Sequence, residues 1–273
     1  MATTRIGLDQ LPPAARTAVE DHTGPFLTVE ERAEGFNSEI AARVTSATGT
    51  WHIKGLRTDH PRAWTQHRET AIAPFLTGLA PTLRWHVETA GWNLLGFEAL
   101  NGHHADYTPN SPDLPEVATL LRRLGETPCP DIELRHAEQR LEHYAAHRDD
   151  LHHFAGSHLL HTDLNNANVL IDDHAGQGER ARLVDWAWAT RGAAWLDAGY
   201  WVVWLIAAGH TPTSAERWAA EIPSWHTAPA EAITAFATAN ANLWAEISTA
   251  DTAPWTFRLA AASEAWRTHR MSR

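Results

Sequence analysis

Residues 158–171 read His-Leu-Leu-His-Thr-Asp-Leu-Asn-Asn-Ala-Asn-Val-Leu-Ile, so His161, Asp163 and Asn168 form the pattern His-x-Asp-x-x-x-x-Asn directly before a β-type run. A second β-type run, 181–184, then ends in Asp185. An Asp and an Asn on a turn before one strand, with another Asp just after its partner strand, can converge at one end of a hairpin, because paired strands lie ~5 Å apart. Phosphoryl transfer needs such a set: one carboxylate to hold the attacking hydroxyl and take its proton, and an amide oxygen and a second carboxylate to hold Mg²⁺ against nucleotide phosphates. Singly, each side chain has a plainer use as a helix cap, a turn former or a strand end. Their order around one hairpin favours the chemistry.

The elements that must position these residues change character along the chain. Residues 26–33, 39–46 and 50–56 are short runs carrying Val, Ile, Thr and Trp between turn-forming breaks, which predicts an antiparallel meander. Apolar spacing predicts a helix over 61–79 that Pro74 kinks or shortens, and 83–88 and 92–100 flank Thr89-Ala90-Gly91 as a further hairpin. Beyond Gly102 the pattern becomes helical, over 115–124, 132–154, 194–208, 214–222, 229–247 and 254–270, interrupted by the hairpin of 169–171 and 181–184. The expected fold class is α+β: a small five-stranded antiparallel sheet lobe over 1–100 and a larger helical lobe over 101–273, joined by a hinge near 98–102 with a cleft between them.

The chain's 273 residues and 44% apolar content suffice for one large domain or two modest ones. Lys plus Arg is 22 against Asp plus Glu 33, a net charge of -11 that repels a phosphate backbone and argues against nucleic acid as a partner. Cys129 stands alone, which excludes an internal disulfide and fits a reducing compartment. No secretory signal is visible at the start, and the longest stretch free of Asp, Glu, Lys and Arg, 198–215, loses its apolar character after Gly209, short of the ~20 residues that span a bilayer. A cytoplasmic protein with no membrane partner and no obligate protein partner is expected, with a buried helix over that stretch. The 14 tryptophans are spread along the chain, and Trp186, Trp188, Trp195, Trp201, Trp204 and Trp218 are expected mostly in the core.

The signature His161-x-Asp163-x-x-x-x-Asn168 followed by Asp185 resembles that of the aminoglycoside phosphotransferase family, the small-molecule branch of the protein-kinase-like fold. The resemblance implies a catalytic base at Asp163, a loop brace at His161, Mg²⁺ ligands at Asn168 and Asp185, and a structural aspartate at Asp197. It also matches Lys54 to the lysine that pairs the nucleotide phosphates, and Glu69, fifteen residues on, to the helix glutamate that orients it. The segment 95–101 becomes the adenine-binding hinge, with Glu98 and Leu100 as its readers. Residues 34–39 fall where the phosphates are covered, but contain one glycine, leaving Asn37, Ser38 and backbone N–H groups to make the contacts. The segment 107–115, Tyr-Thr-Pro-Asn-Ser-Pro-Asp-Leu-Pro, is similar to a stretch recurrent in bacterial members.

The resemblance implies an enzyme that uses ATP (or GTP) with Mg²⁺ to phosphorylate a hydroxyl of a small molecule. Thr162 replaces the arginine that couples protein kinases to a phosphorylated activation loop, and only 186–196 separate Asp185 from Asp197, too few for a peptide platform. Over 193–250 the acids Asp197, Glu216, Glu221, Glu231 and Glu246 face Arg217 alone, a balance that suits a cationic aminoglycoside, while the tryptophans of the same helices suit a sugar or nucleoside. An antibiotic hydroxyl ranks first and a metabolite such as a sugar, choline or homoserine second. The alternatives are a non-catalytic nucleotide-binding switch, and a metal protein built on His103, His104, His152, His153, His158 and His161, whose spacing matches no familiar ligand set.

Overall fold

The computed structural model describes residues 5–31 and 38–273. The chain divides into two compact units, Met1–Asn101 with Asp185–Ala187, and Gly102–Val184 with Trp188–Arg273. The first unit begins with α1 (Pro13–Thr23), where Pro at the first helical position gives up an N–H that had no partner. It continues with β1 (Phe26–Glu31), β2 (Ile40–Ser46), β3 (Gly49–Arg57), α2 (Ala63–Ile72), β4 (Leu83–Thr89) and β5 (Trp92–Glu98). The strands form one antiparallel sheet in the order β1-β2-β3-β5-β4, the five-stranded sheet that the alternating sequence predicts. Its apolar face, with Ile40, Ala42, Val44, Ile53, Trp85 and Leu94, packs on Leu8, Leu11, Ala15 and Val19 of the N-terminal segment and α1. That helix is an addition to the sequence reading.

Two details of this sheet bear on the site. β3 spans Gly49–Arg57, one residue longer at each end than the predicted run, and Gly55 beside Lys54 lies against Leu94 and Ile40, where a Cβ would stand 2.8 Å and 3.0 Å from their side chains. α2 stops at Ile72, and Pro74 turns the chain through a 3₁₀ turn over Ala73–Phe75, so the helix is shorter than 61–79.

The second unit comprises β6 (Gly102–His104), α3 (Leu114–Gly125), β7 (Arg135–His136), α4 (Ala137–Leu141), β8 (His158–Leu160), β9 (Val169–Asp172), β10 (Ala181–Leu183), β11 (Thr190–Gly192), α5 (Leu196–Ala207), α6 (Pro212–Ala220), α7 (Ala230–Ala250) and α8 (Pro254–Met271). β9 and β10 form the expected hairpin, with Val169 opposite Leu183, and β6 pairs with the other side of β9. β11 lies between β7 and β8. The helix expected over 132–154 does not form. Arg135 and His136 pair with β11, α4 lasts five residues, and a 3₁₀ helix over Arg148–His153 follows. Between Leu141 and Leu151 there is no large aliphatic side chain at helical spacing to bury a continuing face.

The unit is centred on α5, the buried helix that the apolar run predicts. Phe236 of α7 meets Phe154, Trp195, Tyr200 and Trp266 edge-on at 4.9 to 6.2 Å between ring centroids. Of the six tryptophans expected inside, Trp186, Trp195 and Trp201 are buried, whereas Trp188, Trp204 and Trp218 are half-buried. At Gly102 the backbone of β9 leaves no room for a side chain: a Cβ there would lie 1.7 Å from the Ile171 carbonyl oxygen and 3.2 Å from the Asp172 Cα, and backbone atoms cannot turn aside as a flexible side chain could. Gly102→Ala is therefore expected to break the β6–β9 pairing and lower stability by about 2 kcal/mol or more, read as a fall in thermal midpoint. An unchanged midpoint would show that the hairpin does not depend on this contact.

Candidate active site

In the first unit, sheet register and one helix turn bring three charged groups together. Lys54 sits in β3 between Ala41 and Leu95, and Glu69 is buried on the inner face of α2. Lys54 Nζ lies 2.8 Å from Glu69 Oε1 and 4.0 Å from Asp185 Oδ1, with the Phe97 ring centroid at 5.9 Å. Lys54 is the only lysine in the chain. Burial works against its charge, but Glu69 and Asp185 outweigh that and hold the ammonium above its ordinary range. Glu69 moves the other way from a usual ion-paired acid: burial, reinforced by the Asp185 carboxylate, pushes it up to about 7 against the pull of Lys54. One cation faces two carboxylates, and the mismatch appears at Glu69 as a tighter hold on its proton. Asp185 itself takes a left-handed backbone, φ 63°, which Asp tolerates better than most residues.

The expected hinge is partly committed already. The Glu98 N–H donates to Thr82 O at 3.0 Å and its carboxylate pairs with Arg84 at 2.8 Å, while Leu100 O accepts from Arg43 Nη1 at 2.8 Å. Ser38 is buried just before Glu39, whose N–H donates to Gly55 O at 2.8 Å. Asn37, with the rest of 34–37, lies outside the described residues.

In the second unit the loop between β8 and β9 is held from several sides. Asp197, on the first turn of α5, accepts the N–H of His161 on Oδ2 and that of Thr162 on Oδ1, both at 2.8 Å. Burial pushes its carboxyl up, while these two donors and Arg140 favour the anion. The His161 ring is buried. Its Nδ1 accepts from the Asp163 N–H at 3.3 Å, and its Nε2 lies 3.0 Å from Val184 O, an arrangement that the neutral Nε2–H tautomer satisfies at both ends. Asn168 Nδ2 donates to Asp163 O at 3.2 Å, which turns its amide oxygen away from that bond. The carbonyl of Asn168 accepts from Val184, the residue before Asp185. The sequence-derived residues of this unit, His161, Asp163, Asn168 and Asp197, are thus one hydrogen-bonded group.

Three participants escape the sequence reading. Thr162 is in a left-handed conformation, φ 68°. Arg140 reaches its hydroxyl from α4. Tyr107, in a segment noted only for its similarity to a family stretch, is buried, and burial followed by the Asp163 carboxylate raises its phenol well above the usual range. Each depends on chain segments meeting from far apart, and the only local signal was the threonine in place of an arginine.

The acidic balance of 193–250 is mostly spent inside the unit. Asp197 holds the loop; Glu216 accepts from Trp266 Nε1 at 2.9 Å and pairs with Arg270 and Arg273; Glu246 meets His143 and Tyr144 at 3.1 Å. Glu221 and Glu231 are exposed. The histidines are dispersed: His103 is on β6 against Asp113 at 3.1 Å, and the His152 and His153 rings meet at a tilt with centroids 3.8 Å apart. Among the described residues no three His, Cys, Asp or Glu side chains gather in a way that could hold a metal ion. No described helix is long and apolar enough to cross a membrane.

No protein-family model matches the sequence, and no curated protein matches it significantly. Solved structures do. Choline kinase LicA from Streptococcus pneumoniae is 14% identical, covering 93% of this chain and 99% of its own at a TM-score of 0.63. A thermostable mutant of aminoglycoside phosphotransferase APH(4)-Ia is also 14% identical, covering 94% and 98% at 0.64. The microcompartment-associated aminopropanol kinase is 15% identical, covering 94% and 96% at 0.59. The chain has the protein-kinase-like fold. At these identities the likeness concerns architecture, and the five-stranded sheet followed by a helical part is the α+β arrangement that the sequence predicts.

The raised Glu69 makes a pH prediction. Its folded value of about 7 lies above the ordinary 4.5, so the folded state holds the proton more tightly than the unfolded chain. The stabilisation is complete below about 4.5 and is lost as pH rises through about 7. The thermal midpoint of the wild type should fall across that window more steeply than that of Glu69→Gln, measured without nucleotide. Parallel curves would show that Glu69 ionises normally.

Proposed function

We propose that the chain is a kinase that transfers the γ-phosphoryl group of ATP (or GTP) to a hydroxyl of a small molecule. The observation that carries this reading is the placement of the only lysine, half-buried in β3 against the buried Glu69 and next to Asp185. Drawing one cation and two carboxylates partly out of water costs desolvation that packing alone would avoid. A nucleotide's phosphates would use the ammonium directly. The held loop supports the second half of the reaction: Asp163 is the base that takes the acceptor's proton, His161 braces it, and Asp197 keeps the loop's shape.

Asn168 and Asp185 offer oxygen donors of the kind that Mg²⁺ takes, and the orientation of the Asn168 amide fits a role for its oxygen outside the loop. When bound, the ion would neutralise charge on the phosphates. The adenine edge would be read by the Leu100 N–H and the Glu98 carbonyl, since the opposite backbone group of each is committed. Asn37 and Ser38 would contribute at the phosphates from the covering loop. Residues 1–100 supply the nucleotide-binding lobe, and 101–273 the catalytic and acceptor-binding lobe. The protein works as a cytoplasmic enzyme.

The structural relatives support the proposed acceptor class more than the acids do. Choline and aminopropanol are hydroxyl compounds carrying a cationic nitrogen, and the relative APH(4)-Ia has been solved with AMP-PNP and hygromycin B. The proposed acceptor is an amine-bearing alcohol, an aminoglycoside-type antibiotic first and a metabolite second. ADP release and product mass over a panel of aminoglycosides, choline and aminopropanol, with amine-free sugars as contrast, test this.

Because Lys54 is the only lysine, amine acylation followed by intact-mass and peptide analysis reads the nucleotide site without an activity assay. Mg-ATP is expected to slow acylation of Lys54 and leave the N-terminal amine unaffected. Equal rates with and without nucleotide would mean that Lys54 is not at the phosphates.

Enzyme and switch are separated by two further variants. Asp163→Asn should lower turnover ~10²- to 10⁴-fold, as loss of a general base does, with ATP affinity by calorimetry barely changed. Asp185→Asn should weaken Mg²⁺-dependent nucleotide binding as well. Full transfer by Asp163→Asn would sink the assigned base, and a wild type that binds ATP yet phosphorylates nothing in the panel would favour the switch.

A further inference from the structure

We infer that Arg140 is a positioning residue for this reaction: it holds Thr162 in its left-handed backbone conformation and thereby fixes how the next residue, Asp163, is presented. The inference rests on the reading of Asp163 as the base. A β-branched residue at φ 68° is strained, at a cost on the order of 1–3 kcal/mol, and persists only where its surroundings impose it. The backbone N–H of Thr162 is held by Asp197 Oδ1 at 2.8 Å. Its hydroxyl accepts from Arg140 Nη1 at 2.7 Å and lies 3.2 Å from Trp188 O.

The same Nη1 donates to Trp188 O at 3.2 Å and to Thr190 Oγ1 at 2.6 Å. One guanidinium nitrogen therefore ties the loop to the turn before β11 and to β11 itself. The group lies over the Trp188 ring at 5.5 Å, and Arg135 approaches that ring at 5.3 Å. All three hydrogen-bond acceptors are uncharged oxygens; the Asp197 carboxylate attracts the guanidinium through space but accepts no hydrogen bond from it. An arginine serving only as an ion-pair partner would donate to a carboxylate. What Arg140 gives instead is a planar donor fixed by stacking, a job for which a flexible ammonium is a poor substitute.

The consequence for chemistry is geometric. Asp163 is fixed behind by its N–H on His161 and ahead by its carbonyl on Asn168, so a change in the Thr162 torsion would pull against both bonds. A displacement of ~1 Å of a reacting group can cost up to ~10²-fold in rate.

The test uses the full chain with Mg-ATP, reading ADP release with the amine-bearing alcohol panel and with water as the acceptor. Arg140→Met should lower kcat about 10- to 100-fold while calorimetric Mg-ATP affinity stays at the wild-type value. In a Thr162→Gly background, where the left-handed conformation is unstrained, the same substitution should cost much less, so that the two changes are non-additive. Arg140→Lys, which keeps the charge and the stem, gives a smaller loss with the same relief by Thr162→Gly, and serves if Arg140→Met does not fold. Wild-type kcat in the arginine variants, or an equal loss in both backgrounds, overturns the inference. Full turnover by Asp163→Asn removes its premise, the assigned base, while the kinase reading stands; no ADP release by the wild type with any acceptor removes the functional reading as well.

Discussion

A buried carboxylate that serves two successive backbone N–H groups is the constraint on which the second unit's site depends. Hydrogen bonds to a charged acceptor contribute roughly 1.5–3 kcal/mol each, and a buried N–H left without one costs a similar amount. Asp197 can meet both demands because it stands on the first turn of α5, whose far side is locked by Trp201 and the rings around Phe236. The loop inherits the rigidity of the aromatic core through one side chain. His161, Asp163 and Asn168 take their places relative to that anchor, and Thr162 accepts an unfavourable torsion because the anchor and Arg140 leave it no other.

The first unit solves a different electrostatic problem. Its carboxylates are not matched by donors in equal number: Glu69 and Asp185 share one ammonium. Burial raises both Asp197 and Glu69, yet the surroundings differ in kind. Asp197 is a saturated structural group, while Glu69 faces another acid and gains its proton near neutrality. Such an imbalance is unfavourable for the fold alone and is relieved when further positive charge arrives, which is the physical reason the trio is a candidate for a ligand-binding role.

Charge counted along a sequence says little until partners are known. The five acids of 193–250 suggest a cationic acceptor, but Asp197 and Glu216 are consumed inside the fold and Glu246 meets His143 and Tyr144. The tryptophans divide in a similar way, half of the six into the core and half into partly exposed positions where one, Trp188, stacks with two arginines. Fewer of these acids and tryptophans are open to a ligand than composition implies.

The sequence by itself determined the sheet, the β9–β10 hairpin, the buried α5 and the residues of the loop, because strand alternation, turn-forming dipeptides and a short polar motif are all local patterns. Its lone lysine, fifteen residues before Glu69, was also legible, being a matter of order along the chain. The long helix over 132–154 was misread because periodicity cannot report that Arg135 and His136 are claimed by β11, or that no core waits for the residues after Leu141. The two- and three-residue strands β6, β7, β8 and β11 are too short to leave a pattern. Only the tertiary structure decided that Arg140 meets Thr162, that Asp197 grips the loop, and that Glu69 shares its ammonium with Asp185. Those contacts join segments from 22 to 116 residues apart, and their strength comes from burial, a property that no local stretch of sequence possesses.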